Sequence, residues 1–272
     1  MRVPLAGIDT YVYSGGRSLV ADAPTVVFLH GAANDHSVWS LQSRWFAHHG
    51  FNVMAPDLPG HGRSGGDAIG SIEQLADWTL SLIDALALRE VHLVGHSMGS
   101  LIALETAARQ PARVQSLCLV GCAVPMAVSD ALLIAAQSDE PSAIRMITNW
   151  SHAPSSLLAG GHIPGVWLPG VTRALMARAD QGVLHRDLLN CREYSSGLDA
   201  ASRVVAPTLL LVGDRDLMTP RKALAELKPR LTLAQEVVIT DAGHAMMNEQ
   251  PDQVLDALHR FIRNRGLGTD HP

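Results

Sequence analysis

The chain has 272 residues, 47% of them hydrophobic, with a formal charge of -5 and an isoelectric point near 6.2. That length and a mean hydropathy of +0.12 suit one large, two-sided core carrying an insertion. Its 21 Lys and Arg are scattered rather than blocked, which excludes a surface built to track nucleic acid or a membrane. The N-terminus, Met1-Arg2-Val3-Pro4-Leu5-Ala6-Gly7-Ile8-Asp9, has no sustained apolar h-region, so cytoplasmic residence is expected. The three cysteines make no disulfide framework: Cys118 and Cys122 fall in one predicted strand, roughly 13 Å apart. They are expected to be small buried hydrophobes.

In chain order, an N-terminal hairpin ends near Gly15-Gly16, and Thr25-Val26-Val27-Phe28-Leu29 is continuously apolar, as a strand buried on both faces should be. Residues 52–55, 91–94, 114–120, 208–212 and 236–239 repeat that character. Helical patterns fill the gaps at 38–48, 72–86 with Ser71 as N-cap, 100–109, 221–227 and 252–263. This βαβα rhythm predicts an α/β protein: a mostly parallel sheet covered by helices on both faces. The longest apolar stretch, 117–128, contains Pro125 and is too short to span a bilayer. Between 123 and 206 no strand run appears, so residues 1–122 and 207–272 form the expected core and 123–206 an inserted helical cap. Within it, residues 153–170 carry four Gly and three Pro and read as an irregular loop.

Gly95-His96-Ser97-Met98-Gly99 lies between a predicted strand and a predicted helix. Glycines on both sides let the chain turn tightly enough to expose the serine oxygen. The pattern alone is weak, since this composition produces about 0.14 chance matches, and the chain holds a second one at Gly62-Arg63-Ser64-Gly65-Gly66. That copy sits in a Gly-rich segment with no strand before it. Context therefore selects Ser97 and leaves Ser64 as loop.

A serine hydroxyl needs a base, and the base an orienting carboxylate. Of 13 His, His244 ends a strand-then-loop segment and so reaches the carboxyl edge of the sheet, where an open α/β fold binds its ligands. Leu209-Leu210-Leu211-Val212-Gly213-Asp214-Arg215-Asp216 offers two carboxylates, with Asp216 favoured and Asp214 read as a loop brace. Asp241, three residues before His244, is read as turn-forming. For the developing oxyanion, Met98 supplies one N–H at a helix start. Ala32, in His30-Gly31-Ala32-Ala33 after the first long strand, is the expected second donor, with Ala33 as the alternative.

On these residues, with Asp57-Leu58-Pro59-Gly60-His61-Gly62-Arg63-Ser64 and Gly243-His244, the chain resembles the α/β-hydrolase superfamily. The family order of nucleophile, acid and histidine is kept as Ser97, Asp216, His244. The resemblance implies a helical cap, no metal and no organic cofactor. It also argues against dehalogenase and epoxide hydrolase activity, because those relatives carry aspartate where this chain has Ser97.

The insertion is rich in apolar bulk, including Leu132, Leu133, Ile147, Ile163, Trp167 and Leu168. Trp150, Trp167, Met218 and Met246 are the expected pocket residues. The expected activity is hydrolysis of small-molecule carboxylic esters with a hydrophobic acyl or alcohol group, by a monomer or homodimer. Alternatives are a C–C bond or enol-lactone hydrolase, with Arg145, Arg173 or Arg178 binding a substrate carboxylate, a cofactor-free perhydrolase, and a non-catalytic ligand-binding member of the fold.

Overall fold

The computed structural model describes residues 1–158 and 165–266. Ile163 and part of the Gly/Pro-rich loop lie outside the described residues. The chain opens with a hairpin of β1 (Arg2–Leu5) and β2 (Ile8–Tyr13), whose two-residue loop, Ala6-Gly7, has φ +50 and +81. Both positive φ values match the turn whose twist suits a hairpin. There follow β3 (Thr25–Leu29), α1 (Ser40–His48), β4 (Asn52–Pro56), α2 (Ile72–Ala85), β5 (Val91–His96), α3 (Met98–Arg109) and β6 (Val114–Val120). The Ser71 hydroxyl caps α2 by accepting from Gln74 N–H at 3.2 Å, an interaction worth about 1 kcal/mol.

Among the described residues, six helices lie between β6 and the next strand: α4 (Asp130–Ser138), α5 (Glu140–Ser151), α6 (Pro154–Leu157), α7 (Leu168–Met176), α8 (Val183–Glu193) and α9 (Gly197–Arg203). The chain closes with β7 (Thr208–Gly213), β8 (Ala234–Ile239), α10 (Met246–Glu249) and α11 (Pro251–Gly266). The strand order is β1-β2-β4-β3-β5-β6-β7-β8, parallel from β4 to β8 and antiparallel at the two N-terminal pairs.

Side-chain alternation divides the core into two layers. Val27 and Leu29 of β3 and Leu93 of β5 face α2, α3 and α9, whereas Val26, Phe28 and Val94 face Trp39, Phe46 and the α11 residues Leu258 and Phe261. Strands apolar on both faces therefore read as unbroken hydrophobic runs. A third cluster, built from Leu132, Ile144, Leu184 and Leu188 of the insertion, closes on Ala33 of the core.

One predicted helix is absent. Residues 221–227 form a short 3-10 turn over Arg221–Leu224, followed by another at Lys228–Arg230. Pro229 lacks an N–H and disfavours helical backbone at Lys228, so the segment buries Leu224 and Leu227 without completing an α-helix. Cys118, Cys122 and Cys191 are all free and buried.

Candidate active site

Ser97 stands alone between β5 and α3 with φ +54 and ψ -121, a conformation that non-glycine residues rarely hold. The flanking glycines are there for close approach: a Cβ on Gly95 would lie 2.1 Å from Gly99 O, and one on Gly99 would lie 2.4 Å from Leu29 O. The corner is fixed by Ser97 N–H donating to Val120 O at 3.0 Å and by Ser100 N–H and Oγ–H donating to Ser97 O. The second motif does a different job. Ser64 Oγ donates to Asp57 O at 2.6 Å and accepts from Tyr11 N–H at 2.9 Å, which pins its loop to the hairpin.

His244 occupies the loop between β8 and α10. Its Nδ1–H donates to Asp216 Oδ2 at 2.8 Å, while Nε2 is buried without a hydrogen-bond partner. Asp216 lies beyond the end of β7, where its Oδ1 accepts from Met218 N–H and Thr219 N–H and its Oδ2 from Thr219 Oγ–H. Burial opposes its charge, but the adjacent His244 and these donors outweigh it and hold the carboxyl at about 2. Asp214 instead accepts from Ala242 N–H at 3.2 Å beside the exposed Arg215. Asp241, at φ +54, accepts from Ser155 Oγ.

The loop after β3 separates the two oxyanion candidates. Ala33 N–H donates to Asp187 Oδ2 at 2.8 Å, whereas Ala32 lines the cavity that also contains Ser97 and His244. Met98 begins α3, so its N–H is among the helix's unsatisfied donors.

That cavity has a volume of about 500 Å³ and is mostly apolar. Its described lining contains no Asp, Glu, Lys or Arg. Trp150 and Met218 line it. Met246 does not: it is fully buried in the core layer beneath the sheet, and its neighbour Met247 reaches the cavity instead. A single turn of helix, α10, sends the two thioethers to different sides. Trp167 is 55% exposed, lies under the Arg173 guanidinium at 5.5 Å and is outside the lining. The arginines considered for a substrate carboxylate are elsewhere too, with Arg145 on Ser142 and Arg178 on Asp35.

Three contributors were not singled out from the sequence. His96 Nε2–H donates to the His244 carbonyl at 2.9 Å, and burial, reinforced by His244, pushes its pKa down to about 3, so it is neutral. Glu249, buried on α10, accepts from Gly243 N–H and from Ala153 N–H, both at 2.7 Å, tying the His244 loop to the insertion. Asp187, on α8, holds the loop after β3. Only Glu249 had a visible cue, as an acid between His244 and the helix-opening Pro251. Donor atoms of Asp35, His36 and Asp57 lie within 4.8 Å of one another, the spacing of a metal site. They are spent locally: Asp57 Oδ1 accepts from His36, and Asp35 accepts from Ser37 and Arg178.

A sequence model of the alpha/beta hydrolase family matches residues 26–257. The chain belongs to this family. It is 29% identical to the pimeloyl-[acyl-carrier protein] methyl ester esterase of Xanthomonas campestris pv. campestris, over 90% of this chain and 97% of that one. It is 24% identical to the (E)-2-((N-methylformamido)methylene)succinate hydrolase of Acinetobacter baylyi, over 87% and 89% of the two chains. The enol-lactonase from Burkholderia xenovorans LB400 superposes with a TM-score of 0.86 at 21% identity, covering 97% of this chain and all of that one, which shows the shared fold. The eight-stranded, mostly parallel sheet and its helices are thus those of the alpha/beta hydrolase fold. No helix among the described residues is long and apolar enough to cross a membrane.

Proposed function

We propose that this protein hydrolyses uncharged carboxylic esters with an apolar acyl or alcohol part through an acyl-enzyme. The observation that carries the reading is the state of His244, whose Nδ1–H is fixed by Asp216 while its unpartnered Nε2 is buried at a cavity shared with Ser97. An imidazole held in that tautomer is a base with one available lone pair.

Nε2 takes the Ser97 proton as Oγ attacks the ester carbonyl, and the oxyanion accepts from Ala32 N–H and Met98 N–H. Each such donor is typically worth about 10²–10³ in kcat. Collapse expels the alcohol, which takes the proton from His244. Water then attacks the acyl-Ser97 ester with His244 as base again, releasing the acid. Residues 123–206 serve as the cap that shapes the acyl site. An apolar wall without a facing cation disfavours carboxylate-bearing substrates, because burying an unpaired charge there costs several kcal/mol.

The test is a panel of p-nitrophenyl acetate, butyrate and octanoate, neutral γ-lactones and monoesters of dicarboxylic acids, run on wild type and Ser97→Ala, with a fluorophosphonate label. Neutral esters are expected to turn over at least tenfold faster in kcat/KM than the charged monoesters, with one label per chain, on Ser97. Folded wild type that neither labels nor turns over any ester overturns the reading.

A further inference from the structure

Asp187 is an acid in an unusual place. It projects from α8 of the insertion, is 1% exposed, and makes its two short contacts with the core rather than with neighbouring helices. One is to Ala33 N–H and the other to His61 Nε2, both at 2.8 Å and both on Oδ2. The opposite ring nitrogen of His61 donates to Pro59 O at 2.9 Å. Both nitrogens therefore act as donors, which only an imidazolium can do. Burial opposes that charge, and Asp187 outweighs burial and raises the His61 pKa. Asp57 acts in the same direction, while the His30 ring stands 5.1 Å away.

A buried ion pair is a weak way to gain stability, since desolvation cancels most of the attraction. This one sits on the residue next to Ala32. Ala33 has φ +51, so the loop is in a left-handed turn just beside Ala32, which lines the cavity, and insertion residues pack over it. Peptide orientation at Ala32 depends on how its neighbour is tied down.

We propose that Asp187, with His61 as its counter-ion, is a positioning residue for the reaction: by anchoring Ala33 N–H it aims the Ala32 N–H at the oxyanion. The inference rests on the hydrolase reading above. It means that the insertion completes the oxyanion hole as well as covering it, and that Ala33 N–H is withheld from the substrate.

The experiment compares wild type with Asp187→Ala, Asp187→Asn and His61→Gln in the full chain, measuring kcat and KM on p-nitrophenyl butyrate, fluorophosphonate labelling rate and Tm. Asp187→Ala is expected to lower kcat and labelling rate by about 30- to 300-fold with KM within threefold. Asp187→Asn keeps an oxygen for Ala33 N–H, so it and His61→Gln should lose about five- to tenfold. Arg192→Ala, which removes the exposed pair between α8 and Asp130, should leave kcat unchanged and so exclude general loosening of the helix. Folded Asp187→Ala with kcat within threefold of wild type overturns the proposal. Where Asp187→Ala does not fold, the isosteric Asp187→Asn decides, and kcat within twofold of wild type overturns it. An inactive, unlabelled wild type removes the hydrolase reading and this inference together, whereas an active wild type with unaffected variants removes only this inference.

Discussion

Acid should unfold this protein through its buried histidines. Burial holds His30 at about 4, reinforced by His61, holds His92 at about 4, and holds His96 at about 3 with help from His244. In the unfolded chain each returns to about 6.5. Between those values the unfolded state binds three more protons than the folded one, so stability rises with pH and falls on acidification by about 4 kcal/mol per pH unit. Each histidine costs about 1.4 kcal/mol at pH 5.5, and the three together roughly 8 kcal/mol at pH 4.5, comparable with the whole stability of a typical domain. His152, also lowered by burial, adds in the same direction. His61 cannot offset this. Its raised pKa gives stabilisation fully present below about 6.5 and lost only as pH climbs through the raised value, outside the acid window. Urea unfolding followed by tryptophan fluorescence at pH 7.5, 6 and 5 measures the slope. His92→Leu, on β5 and outside the cavity, should remove about a third of it. A slope under about 1.4 kcal/mol per pH unit, equivalent to one proton, between pH 6 and 5, or no change of slope in His92→Leu, refutes the reasoning.

Other outcomes follow from the corner and the acid. Ser97→Ala should abolish ester cleavage with circular dichroism unchanged, and Ser97→Gly should do so while raising Tm by about 2 °C, because glycine relieves the positive φ. Asp216→Asn should lower kcat by about 10³–10⁴, and Asp214→Asn by less than tenfold; the reverse order in a steady-state assay would reassign the acid. Gly99→Ala should destabilise by about 3 kcal/mol, read as a lower urea midpoint, since the new Cβ meets backbone at 2.4 Å. Asp216, held at about 2, should add a further acid loss. Its stabilisation is present above about 3.9 and lost as pH falls towards 2, visible as a shallower acid limb in Asp216→Asn.

What could be read from the sequence was what local chemistry determines. Strands buried on both faces, such as Thr25–Leu29, announce themselves as apolar runs, and the serine corner needs its two glycines within five residues, so strand ends and Ser97 are visible together. His244 and Asp216 follow the same logic of a strand followed by a loop, and the fold brings them within 2.8 Å. Side-chain direction was less accessible: Met246 and Met247 are equally apolar, and only the start of a one-turn helix decides which faces the core. A helical pattern over 221–227 gave way to Pro229, whose effect on the preceding turn outweighed the propensities. Partners across the insertion left no trace at all. Asp187 and His61 are separated by 126 positions, and Asp187 stands in an amphipathic helix where an acid normally marks the solvent face. Only its burial against the loop after β3 distinguishes it. If the chemistry of this site is tuned from α8, then residues far from any strand end belong to the catalytic problem, and exchanging the insertion for another of equal apolar content should cost kcat unless an acceptor for Ala33 N–H is supplied. Measuring kcat of such an exchange with and without a restored carboxylate at position 187 tests that directly; equal values would confine the insertion to substrate shape.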